Sequence, residues 1–89
     1  MTWKIEVVPN ARKEIDKLDR QVAKRFLKFL HKRVASLKDP RSIGDALKGP
    51  RFGEYWRYRV GDYRIITKIE DNIMLILVLR VGHRKQIYN

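Results

Sequence analysis

The sequence has no cysteine, three prolines, five glycines and only ten acidic residues. Without cysteine, neither a disulfide nor a Cys₄ zinc site can brace the fold, and a reducing compartment fits. His31 and His83 are the only histidines, so a histidine-rich metal cage is not expected, and no metal or other cofactor is implied. Long apolar runs are also missing. The longest, Ile73 to Leu79, falls far short of the ~20 residues a membrane-spanning helix needs. The N-terminus lacks the apolar core of a signal peptide. These absences predict a cytoplasmic protein with no membrane partner. At 89 residues the chain has room for one domain, 1–89, since domains run to roughly 50–250 residues. A chain of this size buries only about 60% of its unfolded surface. Its 44% hydrophobic content still allows one thin core and sets it apart from disordered chains.

Acid is scarce where base is plentiful. Twenty-one Lys and Arg against ten Asp and Glu leave a net charge of +11. That excess opposes compaction, so a polyanion or an acidic protein partner is the natural counterpart.

No internal repeat or low-complexity segment breaks the chain. Trp3 to Val8 alternates apolar and charged residues, the mark of a strand with one wet face. Asn10 is placed to cap a short helix carrying Ala11, Ile15 and Leu18. Asp19 is placed to cap a longer helix reaching about Leu37. Val22, Ala23, Phe26, Leu27, Phe29, Leu30, Val34 and Leu37 fill one half of its wheel, and Arg20, Lys24, Lys28 and Lys32 the other. No acidic residue lies between Arg20 and Lys38. Arg33 projects into the apolar arc, where a buried guanidinium would need partners. Residues 41–51 read as an irregular connection with one helical turn near Ala46-Leu47.

Strands follow: Glu54 to Val60, Tyr63 to Glu70, and Ile73 to about Gly82, joined by two-residue turns at Gly61-Asp62 and Asp71-Asn72. The near-continuous apolar last strand is expected to be central. The fold class is therefore α+β: an N-terminal strand, two helices, then an antiparallel three-strand meander, with the helices on one face.

The Gly61-Asp62 turn pairs Val60 with Tyr63, Arg59 with Arg64, Tyr58 with Ile65 and Arg57 with Ile66. Alternation then puts Trp56, Tyr58, Val60, Tyr63, Ile65, Thr67 and Ile69 on the core face. Tyr55, Arg57, Arg59, Arg64 and Lys68 fall on the other. That face is either ordinary solvated surface or a phosphate-binding one, since guanidinium groups offer rigid paired donors to phosphate. The helix stripe is a solvated face first and an auxiliary polyanion contact second. In the tail, His83 is a solvated loop residue or a group titrating beside a phosphate. Tyr88 is a core anchor or a platform for a base. Arg84 and Lys85 add charge. His31 reads as surface, Trp3 and Trp56 as core.

The segment Tyr55-Trp56-Arg57-Tyr58-Arg59-Val60-Gly61-Asp62-Tyr63-Arg64-Ile65-Ile66, followed by Leu79-Arg80-Val81-Gly82-His83-Arg84-Lys85-Gln86-Ile87-Tyr88, resembles the RelE/ParE superfamily of toxins from type II toxin–antitoxin pairs, the RelE branch in particular. The resemblance covers essentially the whole chain. It implies a RelE-like domain acting as a ribosome-dependent mRNA endonuclease, cutting A-site message without a metal by attack of the ribose 2′-OH on the adjacent phosphate. Its implied partners are a cognate antitoxin, mRNA and ribosomal RNA.

By that resemblance, Arg64 stabilises the phosphate and Arg84 serves the phosphate or leaving-group side. Arg57 stands where a strand lysine is used, and Tyr88 matches a C-terminal tyrosine that stacks on the message. Tyr55 and His83 occupy positions where lysines are expected. Arginine does not deprotonate, so Tyr88 and His83 are the candidate general bases. Tyr55, Arg59, Lys68, Lys85, Lys24, Lys28 and Lys32 are the expected RNA contacts. The alternatives are a ParE-like gyrase inhibitor without nuclease chemistry, or a non-catalytic nucleic-acid-binding domain.

Overall fold

The computed structural model describes residues 2–47 and 55–87. Strand β1 (Lys4–Val7) leads into helix α1 (Pro9–Asp16) and helix α2 (Arg20–Lys28). A π-helical segment, Phe29–Val34, continues α2. Then come a 3₁₀ turn at Pro40–Ser42, the two-residue strand β2 (Asp45–Ala46), β3 (Tyr55–Val60), β4 (Tyr63–Glu70), β5 (Leu75–His83) and a closing helix α3 (Arg84–Ile87). The strands form one sheet in the order β1-β5-β4-β3-β2. β1 runs parallel to β5, and every other pair is antiparallel.

The hairpin register is the expected one: Val60 faces Tyr63, Arg59 faces Arg64, Tyr58 faces Ile65 and Arg57 faces Ile66. Tyr58, Ile65, Ile69, Ile76, Val78 and Val81 supply the sheet's side of the core, and Ala11, Ile15, Phe26, Leu30 and Val34 come down on it from the helices. Among the described residues no helix is long and apolar enough to cross a membrane.

Several boundaries differ from expectation. Pro9 opens α1 at its first position with Val8 as N-cap, as suits a residue with no N–H to give and a preset φ; Asn10 is not the cap. Helix α2 does not run on as an α-helix to Leu37. The Ala35 N–H donates to the Leu30 carbonyl at 2.9 Å, five residues back. That wider turn brings Leu30, Val34 and Ala35 onto the core and rotates Arg33 out of the apolar arc into solvent. Ala46 belongs to β2, paired with Trp56, and not to a helical turn; residues 48–54, with Glu54, lie outside the described ones. The β4–β5 connection is longer than two residues, a 3₁₀ turn at Asp71–Ile73 closed by Met74 at φ 50°. β4 is the middle strand, because β1 pairs outside β5.

Two devices finish the sheet. A bulge lets Ile66 face Arg80 while Thr67 faces Val78, so Val81 and Val78 both reach the core although three residues apart. Beyond the end of β1, Glu14 of α1 covers the exposed edge of β5. Its Oε1 accepts from the Val81 N–H at 3.1 Å and its Oε2 from Arg80 Nη2 at 3.1 Å. On the far face of the sheet Leu47, Ile66 and Ile87 form a second small cluster with Tyr55 against it. It is this cluster that fixes α3.

Candidate functional site

The two-residue turn at Gly61-Asp62 gathers charge from three elements. Arg64, the second residue of β4, folds back so that Nη1 donates to the carbonyls of Gly61 at 3.0 Å and Tyr63 at 2.8 Å. The residue is 9% exposed. Its remaining donors, on Nε and Nη2, meet no acceptor among the described residues, and no carboxylate pairs with it there. Arg84 is exposed at the start of α3, and its backbone N–H donates to the Asp62 carbonyl at 2.9 Å. From α2, the Arg25 Nη2 lies 3.8 Å from where a Cβ on Gly61 would sit. Arg25 was not among the expected site residues: a helix wheel gives its exposure but not its reach to a hairpin turn.

Across β5, Gly82 faces Arg64 and His83 faces Tyr63. A Cβ added at Gly82 would meet nothing within 4 Å, so the space beside Arg64 is open. The His83 ring packs edge-on against Tyr63, with centroids 5.5 Å apart, and its Nδ1 accepts from the Lys85 N–H at 3.2 Å. With that lone pair engaged, neutral His83 carries its proton on Nε2 and offers a donor.

Arg57 and Arg59 share the face of Arg64 one strand away. Both converge on one oxygen of Asp45 in β2: Arg57 Nη2 lies 3.3 Å and Arg59 Nε 3.4 Å from Oδ2. Two residues away from Arg57 along β3, Tyr55 packs on the Leu47–Ile66–Ile87 cluster and faces Lys68, whose Nζ lies 3.3 Å from Glu70. Lys85 is exposed on α3. Lys24, Lys28 and Lys32 are exposed on the side of the helix turned from the sheet, so they stand across the molecule from the arginine face. Tyr88 lies outside the described residues. The fold thus brings Arg57, Arg59 and Arg64 to one face with Arg84 at its end, sets His83 beside Tyr63 on the opposite, core face, and leaves the helix lysines elsewhere. Chemically, that end holds a largely buried guanidinium with an unused donor edge and a further exposed cation beside an open notch, an arrangement suited to an anion with several oxygens.

Known proteins agree with this architecture. Residues 5–88 match the family model described as ParE toxin of type II toxin-antitoxin system, parDE. Toxin RelG of Mycobacterium tuberculosis is 26% identical over 88 residues, covering 99% of this chain and 98% of that protein. Among solved structures, a chain of the toxin-antitoxin complex RelBE2 from Mycobacterium tuberculosis superimposes with a TM-score of 0.84 at 23% identity, over 94% of this chain and 93% of that one. A chain of the archaeal RelE-RelB complex from Pyrococcus horikoshii OT3 gives 0.73 at 26% identity, over 97% and 99%. A mutant of the E. coli toxin RelE in the free state gives 0.75 at 24% identity, over 99% and 90%. With the family model matched from β1 through α3, the chain belongs to the ParE toxin family and is a type II toxin of the RelE/ParE kind.

Proposed function

We propose that this toxin is a single-domain, metal-independent endoribonuclease of the RelE branch, which cuts mRNA in the ribosomal A site in the cytoplasm and is held in check by a cognate antitoxin. The observation that carries the reading is Arg64, a nine-tenths-buried residue whose guanidinium has carbonyl partners and no carboxylate among the described residues. A largely buried cation with donors left over gains most from an oxyanion, and preorganised charge of this kind is usually the largest catalytic contribution.

In the reaction, the ribose 2′-OH loses its proton and its oxygen bonds to the adjacent phosphorus. The bond to the 5′-oxygen then breaks, leaving a 2′,3′-cyclic phosphate, and the 5′-oxygen takes up a proton. Arg64 and Arg84 would neutralise the non-bridging oxygens, and Arg57 would hold the strand. Tyr88 would take up the 2′-OH proton, and solvent would supply the proton that the 5′-oxygen gains, since the Nε2–H of a neutral His83 donates a hydrogen bond without releasing its proton. General acid–base groups of this sort contribute about 10²–10⁴ in rate. Tyr55, Arg59, Lys68 and Lys85 would contact message on the same face. Lys24, Lys28 and Lys32, on the opposite side, would meet ribosomal RNA. The net charge of +11 favours rapid, steered capture by an acidic antitoxin, and the toxin–antitoxin complexes among its structural relatives support such a partner.

The ParE name of the matched family supports a second reading, a gyrase inhibitor. Primer extension on messages after brief expression separates the two. The nuclease reading expects translation-dependent cuts, with Arg64→Lys, which keeps charge but loses the fork, and Arg84→Ala each cutting far more slowly. Intact message together with blocked DNA supercoiling would establish the second reading instead.

A further inference from the structure

Asp45 is an acidic residue at the border of an arginine face. It stands on a two-residue edge strand, and one of its oxygens serves both Arg57 at 3.3 Å and Arg59 at 3.4 Å. Those contacts are loose beside the 2.7–2.9 Å typical of charge-assisted hydrogen bonds. They are looser, too, than the paired bonds between Arg41 and Asp71, at 2.9 and 3.0 Å. The backbone beneath is fixed. Gly44, at φ +87°, lies so close to β3 that a Cβ there would come within 2.4 Å of the Arg57 carbonyl. The side chain is not fixed: it is 44% exposed and borders a cavity of about 350 Å³ walled by Phe29, Tyr58, Arg33 and Arg59. The Arg33 guanidinium has no acceptor among the described residues, so a carboxylate rotated into that cavity keeps a cationic neighbour.

We infer that Asp45 is an internal counter-anion for Arg57 and Arg59, displaced toward the Arg33 cavity when a phosphodiester enters, and that it thereby sets how tightly this face holds RNA. The inference rests on the proposal that these arginines contact RNA phosphates. A shared carboxylate oxygen mimics the phosphate oxygen that replaces it, so each binding event first breaks the two ion pairs. Weak, non-productive capture of stray polyanions by a strongly basic protein is held down by that requirement.

The test is binding rather than cleavage. A fluorescent 2′-O-methyl oligoribonucleotide, which cannot undergo 2′-OH attack, is titrated with the full-length protein across a potassium chloride series. Asp45→Asn, nearly the same shape without the charge, is expected to bind several-fold more tightly. The plot of log K against log salt should steepen by about 0.7 for each additional phosphate neutralised. Asp45→Ser should repeat this with a different side chain. Asp16→Asn, which changes net charge equally but at the exposed α1 pair with Arg12, should leave the slope at the wild-type value. Unchanged or weaker binding by both Asp45 variants overturns the inference, as does an equal steepening in Asp16→Asn. Should wild-type protein bind but never cut message, the nuclease reading falls and this result still stands on its own.

Discussion

Tyr58 shows how a single side chain can tie a strand to a loop. It is fully buried, packs edge-on against Phe29 with ring centroids 5.9 Å apart, and donates its hydroxyl proton to the Pro40 carbonyl. Burial pushes its pKa well above the ordinary tyrosine value, because the phenolate would lose its hydration. The unfolded chain therefore ionises first as pH rises past about 10, and the stability this residue supplies is intact below that point and lost above it. Tyr58→Phe should cost about 1–3 kcal/mol at neutral pH by orphaning the carbonyl. The variant should also unfold less steeply above pH 10, which urea titrations at a series of pH values would read. Gly82 makes the opposite case, a residue whose missing side chain matters. It sits in β5 with nothing within 4 Å of a built Cβ, and glycine in a strand interior costs stability. Gly82→Val should leave thermal stability unchanged or slightly higher while its methyls enter the space beside Arg64. Slower message cutting by a fully folded variant is the expected result, and wild-type cutting would place the phosphate elsewhere.

Elements were legible where the local rule left one solution. The β3–β4 hairpin was of that kind: a two-residue Gly-Asp turn fixes the register, and a one-residue slip would carry Arg57, Arg59 and Arg64 into the core. Helices α1 and α2 could be placed from their apolar spacing, and both Trp3 and His31 lie where their types suggest. The π-helical segment was not legible, because a five-residue step from Leu30 to Ala35 leaves an apolar pattern that an α-helix fits nearly as well. Arg33 was the only sign of it, a charge that the α-helical phase would have buried. The β5 bulge leaves a fainter mark, since Val78 and Leu79 are both apolar and Arg80 alone, which strict alternation would have buried, signals the change of face. β2 is too short for any alternation to show. Of the site, the positions of Arg57, Arg59 and Arg64 on one face could be read, but not their partners. Asp45 lies twelve residues before Arg57 in a stretch with no pattern, and a long guanidinium side chain can turn back to its own carbonyls, as Arg64 does.

At the scale of the whole molecule, charge dominates. The acids that are placed are largely used up at home: Glu14 with Arg80, Asp16 with Arg12, Asp45 with Arg57 and Arg59, Glu70 with Lys68, Asp71 with Arg41. The excess of +11 is thus spread over a small body, with a radius of gyration of 12.2 Å, and its self-repulsion works against the folded state. Screening relieves repulsion whatever the ion, whereas a bound oxyanion stabilises only the conformation that holds its site. Thermal unfolding in phosphate and in chloride at matched ionic strength separates the two effects. Both salts should raise Tm, and phosphate should raise it further. A ligand at a hundred times its Kd adds about 2.7 kcal/mol, and each kcal/mol moves a domain of this size by about 4–8 °C. Arg64→Lys should keep the chloride response, which depends on total charge, and lose most of the extra response to phosphate, which depends on the fork. Identical curves in the two salts for the wild-type protein would mean that the charge is diffuse and that the notch beside Gly82 does not bind anions.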